Sequence, residues 1–156
     1  MKRIPFDWKG QAHLADELCR PVKDVTAQID TIGRPSSITL WLADGTGLRI
    51  QSEMHDLAER IEVGILRFET VLTAYKDEQL GDASGAFNAE LKALKMEITE
   101  SGTIAESGFI LRTVEGLELL VLASASPYFL WTSGVFTMRE EFKPEYPLKN
   151  YQIVAV

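Results

Sequence analysis

Cysteine and histidine are scarce in this chain, which has one cysteine, Cys19, and two histidines, His13 and His55, among 156 residues. A single thiol excludes an internal disulfide and any zinc or iron–sulfur site built from several cysteines. We therefore expect neither a metal site nor any other cofactor. Low cysteine usage is typical of a reducing compartment, and MKRIPFDWKG (1–10) has no apolar run of the kind found in secretory signals. The sequence thus predicts a cytoplasmic protein.

Long apolar runs are missing as well. The most apolar stretch is GLELLVLASASPYFLW (116–131). Two serines and Pro127 interrupt it, and a membrane-spanning helix needs about 20 predominantly apolar residues. No membrane span is expected. Because proline breaks a helix interior, the block Leu119–Leu122 is predicted to be a central strand that is buried on both faces.

Basic residues are few: 16 lysines and arginines face 23 aspartates and glutamates, for a net charge of −7. Such a charge repels phosphate backbones, so nucleic acid is not an expected partner. Acidic residues are concentrated between Asp77 and Glu118, and in an antiparallel fold they would gather at strand ends and turns. This distribution predicts an acidic rim that could attract a basic protein.

Catalytic motifs are also lacking. The serine of GDASG (81–85) has no glycines two positions before and after it, as a nucleophile elbow requires. His55 and Glu59 could share one face of a helix, but a catalytic zinc typically needs about three protein ligands. Since no nucleophile, base and orienting group can be assembled, we expect that the protein is not an enzyme.

Strand patterns, in contrast, are frequent. ITLWLADGTGLRIQS (38–52) alternates apolar and polar residues around Asp44–Gly45, which predicts a hairpin. A helix is predicted over 8–19, with Trp8, Ala12, Ala15 and Leu18 on one side, and 74–89 is predicted to be a long connection. Further strands are predicted over 25–32, 61–73, from about Ala93 to Thr99, on both sides of Glu115–Gly116, over 127–136 and over 150–156.

These elements predict a mainly β fold at the margin of the α+β class. We expect one domain over 1–156: a single antiparallel sheet of seven or eight strands, strongly bent or barrel-like, with one N-terminal helix. Its solvent face should expose Arg49, Arg67, Glu69 and Arg112.

Two functions fit these predictions. The first is a non-enzymatic acidic interaction protein that binds a basic protein; bacterial immunity proteins are analogous in size and charge alone. Its candidate partner-binding residues include two aromatics of an extended segment, REEFKPEYPLKNY (139–151), and the full set is Glu97, Glu100, Glu106, Glu115, Glu118, Phe142 and Tyr146. The alternative is a β-barrel carrier of a small ligand, lined by Phe109, Leu111, Leu120, Leu122, Tyr128 and Trp131. The oligomeric state is left open.

Overall fold

The computed structural model describes residues 2–18, 20, 22–30, 34–58, 61–72, 78–79, 90–98, 102–112, 118–124, 129–133 and 151–155. These ranges contain one short helix, α1 (Leu14–Leu18), and twelve strands. In chain order, the strands are β1 (Lys2–Ile4), β2 (Asp7–Trp8), β3 (Val22–Ile29), β4 (Pro35–Leu42), β5 (Gly47–Ala58), β6 (Ile61–Val71), β7 (Glu78–Gln79), β8 (Glu90–Ile98), β9 (Thr103–Arg112), β10 (Glu118–Ala123), β11 (Leu130–Ser133) and β12 (Tyr151–Ala155).

The strands form two six-stranded sheets. The first sheet has the order β11–β10–β9–β8–β12, and β1 also pairs with β9. The second sheet has the order β2–β6–β5–β4–β3–β7. The mainly β prediction is therefore confirmed.

The prediction of a single antiparallel, barrel-like sheet is wrong. The described strands pair as two open series, and two of the pairings, β1 with β9 and β2 with β6, are parallel. Alternation along one strand reveals which face is buried but carries no information on which distant strand lies beside it. The short strands β1 and β2 have almost no alternation to read, and they are the ones that introduce the parallel pairs.

The main core lies between the two sheets. Side chains of β3, β4, β5 and β6 meet those of β9, β10 and β11 in one cluster of buried residues. At its centre, the rings of Phe68 and Phe109 lie 5.8 Å apart between centroids. The cluster includes Val25, Ala27, Ile38, Leu40, Leu48, Ile50, Leu66, Phe68, Phe109, Leu111, Leu119, Val121 and Leu130.

Strand β10 is covered on both faces, as its sequence predicts. Leu119 and Val121 belong to the core between the sheets. Leu122 points the other way, into a second cluster with Ile65 and Tyr151, and Leu120 packs half-buried against that cluster. β10 also has neighbours on both edges, β9 and β11. The apolar block is therefore a central strand of a folded core.

The β4–β5 hairpin is confirmed, with Ile38 opposite Ile50 and Trp41 opposite Gly47. Gly45 has a φ of +89° in the turn, a conformation that favours glycine. The backbone N–H and the hydroxyl of Thr46 both donate to Asp44 Oδ1, at 3.0 and 2.6 Å. Arg20 Nη2 donates to Asp44 Oδ2 at 2.6 Å. These hydrogen bonds hold the pKa of Asp44 well below its usual range.

The predicted 8–19 helix is much shorter in the structure. Trp8 belongs to β2, opposite Phe68, and the indole N–H donates to the carbonyl oxygen of Ala12 at 2.8 Å. The ring lies so close to Gly10 that a Cβ there would fall 1.9 Å from a ring carbon. Pairing of Trp8 with β6 thus replaces the first turns of the helix, and Leu18, in the part that remains helical, is buried.

Two further predictions concern 74–99. β7 lies inside the predicted connection 74–89 and pairs with β3, so that part of the connection is a strand. The strand predicted from about Ala93 is confirmed as β8, which begins at Glu90. Among the described residues, no helix has the length and apolar composition needed to cross a membrane.

Gly64 brings β6 against the first sheet. The hydroxyl of Ser107 donates to the Gly64 carbonyl oxygen at 2.6 Å, and the hydroxyl of Ser52 donates to the Ser124 carbonyl oxygen at 3.2 Å. A Cβ added at Gly64 would lie 2.3 Å from that same Ser124 oxygen. Only glycine fits here without a shift of backbone.

Candidate functional site

The predicted acidic rim is only partly within the described residues. Glu97 lies in β8 opposite Ile104. Glu106 is half-buried in β9, where it accepts a hydrogen bond from the Phe6 N–H at 3.3 Å. Glu118 is exposed at the start of β10 and binds Arg112, whose Nε donates to Oε1 at 3.0 Å. The other predicted partner-binding residues, Glu100, Glu115, Phe142 and Tyr146, lie outside the described residues.

The structure does not bring Glu106 and Glu118 together. Glu118 stands opposite Arg112, which is six positions from Glu106 along β9, or about 20 Å at the rise of a strand. Both carboxylates already have partners within the chain. The rim as a whole stays a prediction, and its two described side chains do not form one site.

The barrel interior expected for a ligand carrier is absent from the described residues. Phe109 and Leu111 face the core between the sheets, whereas Leu122 lies in the second cluster. Leu120 and Trp131 pack against that second cluster, and Tyr128 lies outside the described residues. Side chains on opposite faces of a sheet cannot line one lumen, so the described residues of the predicted lining do not share an interior.

Two neighbouring cavities meet at Trp8. The first, which we call the polar cavity, has a volume of about 520 Å³ and is lined by Trp8, Phe68 and five charged residues, Asp7, Lys9, Glu53, Arg67 and Glu69, among others. The second, the apolar cavity, has a volume of about 500 Å³ and is lined mainly by Pro5, Phe6, Trp8, Leu14 and Leu18, with His13 and Glu106 beside them.

The polar cavity follows from strand alternation. β5 directs Leu48 and Ile50 into the core, so its odd-numbered residues, including Glu53 and His55, face away from it. The register sets Arg67 of β6 opposite both Gln51 of β5 and Asp7 of β2. The outward charged residues of three adjacent strands are thereby collected beside Trp8.

Glu53 is the most perturbed carboxyl group of this cavity. Its pKa is raised, first because partial burial disfavours its charged form, and then because a hydrogen bond to Asp7 and the negative charge of Asp7 favour the protonated form. Nearby positive charge at His55 and Arg67 opposes the shift in part. Glu53 Oε2 lies 3.9 Å from His55 Nε2, has no hydrogen-bond partner and contacts no solvent, although 34% of the side chain is exposed.

Glu69 is better compensated than this carboxyl pair. It lies 3.5 Å from Arg67 Nη2 and 4.0 Å from Arg49 Nη1. Arg49 was expected to be exposed, but only 15% of its side chain is accessible. Thr39, its cross-strand neighbour, is fully buried, so the outer face of the second sheet is covered at this point. Two arginines thus flank Glu69, whereas Glu53 lies beside Asp7 and, at 3.9 Å, His55.

Stability should depend on pH through Glu53. Between the ordinary glutamate pKa, about 4.3, and the raised pKa of Glu53, the folded protein holds a proton that the unfolded chain has lost. The free energy of unfolding should therefore fall as pH rises through this window. Glu53→Gln, which is neutral at every pH, should be more stable than wild type above the window and similar to it below.

Urea denaturation of both proteins from about pH 4 to pH 8 tests this expectation. Glu118→Gln is the matched control, because it removes one carboxylate that is exposed and paired with Arg112. Equal stability of wild type and Glu53→Gln at every pH would show that the pKa of Glu53 is not raised in the folded protein.

Sequence reasoning did not find Asp7 and Glu53, because they are 46 positions apart and meet only through the β2–β6 pairing. The one available signal was alternation in β5, which places Glu53 and His55 on the same outward face. In the part of the chain that the structure describes, no three histidine, cysteine, aspartate or glutamate side chains are grouped as a metal site would require.

Comparison with protein-family models, curated proteins and solved structures finds no match to this chain. A carboxyl group whose pKa is raised by a neighbouring carboxylate can release its proton when a cation binds beside it. Trp8 lies at the wall of the same cavity, and the face of its aromatic ring can also attract a cation.

Proposed function

We propose that the protein is a non-enzymatic, cytoplasmic interaction protein that binds a basic protein partner. The observation that carries this proposal is that Asp7 and Glu53 line the same polar cavity, where Glu53 Oε2 is buried without a hydrogen-bond partner. A positively charged group placed there would favour the charged form of Glu53 and would lie beside an oxygen that has no hydrogen-bond partner.

The overall charge supports the same function. A net charge of −7 attracts a basic protein over distances of about a Debye length and accelerates its association. The carboxyl pair would then give a specific contact, because charge-assisted hydrogen bonds are about twice as strong as neutral ones. Long-range attraction makes association depend on salt, and the local contact depends on the two carboxyl groups, so the two contributions can be tested separately.

Capture of a partner from the native lysate should depend strongly on salt. We expect the immobilised protein to retain a protein of pI above about 9 at about 10 mM salt and to lose it at about 1 M, where the Debye length is near 3 Å. Mass spectrometry of the eluates identifies the partner. Retention that is indifferent to salt, or retention of acidic proteins only, would rule out this function.

A further inference from the structure

We propose that the polar and apolar cavities form one bipartite site for an extended segment of the partner. The polar cavity receives the ammonium or guanidinium group of a lysine or arginine, and the apolar cavity receives an aliphatic or aromatic side chain close to it in sequence. This inference rests on the proposed function and specifies which residues of a basic partner are recognised.

Charge complementarity determines the first half of the site. Asp7 and Glu53 both line the polar cavity, and Glu53 Oε2 is buried there without a hydrogen-bond partner. Glu69, in contrast, is compensated by Arg67 and Arg49. An incoming cation can therefore bind to Glu53 Oε2, which has no hydrogen-bond partner and lies 3.9 Å from His55 Nε2. An incoming anion would be repelled by the two carboxyl groups. A guanidinium or ammonium group supplies several N–H donors to these oxygens.

The second half of the site is apolar and firmly supported. Phe6 packs edge-on against Phe68 with centroids 5.3 Å apart, and its backbone N–H donates to Glu106. Leu18 is fully buried beneath the cavity, and Leu14 is half-buried at its wall. A volume of about 500 Å³ is within the range of sites that bind small apolar groups.

The position of Trp8 sets the spacing of the two partner residues. Its side chain lines both cavities, and it is held in place by the hydrogen bond from the indole to Ala12. Two groups that contact one indole ring are separated by only a few ångströms. In an extended segment, residues i and i+2 point to the same side about 7 Å apart, so the expected pattern is a basic residue followed or preceded at two positions by an apolar one.

Synthetic peptides test this pattern directly. The probe is an N-acetylated, C-amidated pentapeptide, Gly-Arg-Ala-Leu-Gly, compared with the same peptide carrying norleucine for arginine or serine for leucine. Titrations followed by calorimetry and by the NMR signal of the Trp8 indole should show binding of the parent about tenfold or more tighter than of either substituted peptide. Equal affinity for all three peptides would overturn the proposal.

Protein variants assign each half of the peptide to its cavity. Glu53→Gln and Asp7→Asn should each weaken the arginine peptide about tenfold while leaving the norleucine peptide unchanged, and Leu14→Ser should erase the preference for leucine over serine. Glu118→Gln, which removes a carboxylate distant from Trp8, should leave all affinities unchanged. Affinity for the arginine peptide should also rise with pH as Glu53 loses its proton. A pH-independent affinity would contradict the role of the carboxyl pair.

The same variants separate this inference from the proposed function. If wild type and Glu53→Gln capture the same basic partner equally well, the partner binds elsewhere and only the bipartite site is wrong. If neither protein captures a basic partner in a salt-dependent manner, the proposed function itself is wrong. Thermal unfolding of each variant confirms that the comparison is made between folded proteins.

Discussion

Replacing Phe109 with alanine should lower the free energy of unfolding by about 3–5 kcal/mol. The side chain is fully buried at the centre of the core, where it contacts Phe68 of the opposite sheet. Alanine would leave a large cavity, which the surrounding structure can fill only in part. A loss of this size is a large fraction of the total stability of a typical domain.

Urea denaturation followed by far-ultraviolet circular dichroism measures this loss. Leu72→Ala is the matched control, since 76% of Leu72 is exposed and its truncation should change stability by less than about 0.5 kcal/mol. Similar effects of the two substitutions would contradict the position of the core. A reduced denaturant slope in the Phe109 variant would show that the two sheets no longer unfold together.

Gly64→Ala should destabilise the protein by about 1–3 kcal/mol or more. The substitution adds only one methyl group, and in most strand interiors alanine is more stable than glycine. The new Cβ would lie 2.3 Å from the backbone oxygen of Ser124 and 3.0 Å from Cβ of Ala123. The backbone at Ser124 cannot rotate away as a side chain could, so β6 must move away from the first sheet. Such a shift also strains the hydrogen bond that Ser107 donates to Gly64.

Thermal unfolding compares this variant with two others. Glu62→Ala places alanine at an exposed position of the same strand and should have little effect. Ser107→Ala removes only the buried hydrogen bond and should cost about 1–3 kcal/mol. If Gly64→Ala proves neutral, or as mild as Glu62→Ala, β6 does not contact the first sheet at this residue.

Local patterns in this sequence predict local structure well. The alternation around Asp44–Gly45 predicts the β4–β5 hairpin, and the apolar residues on both faces of 61–73 predict a strand that is covered on both sides. In the structure, Leu66 and Phe68 lie in the main core while Val63 and Ile65 lie in the second cluster. Each of these features depends on residues within about ten positions of one another, and the periodicity of a sequence predicts structure over that range.

Arrangements between distant segments are not predictable in this way. Division into two sheets depends on which strands become neighbours, and the strand order β2–β6–β5–β4–β3–β7 places residues 7–8 beside 67–68. The polar cavity has the same origin, because Asp7 and Glu53 meet only after that pairing forms. The distribution of charge along the sequence predicts an acidic surface from residues 77–118. It cannot predict a pair of carboxyl groups that comes together only through tertiary contacts.

The first two strands have a consequence for the rate of folding. β1 joins the first sheet through β9, and β2, three residues later, joins the second sheet through β6. Both pairings close loops of roughly 60 to 100 residues, and contacts of such long range slow folding towards the millisecond-to-second regime of all-β domains. During synthesis, Lys2–Ile4 must wait unpaired until Thr103 has left the ribosome. Among the described pairings this is the largest separation in sequence, so this segment waits longest for its partner strand and is open to proteases in the meantime.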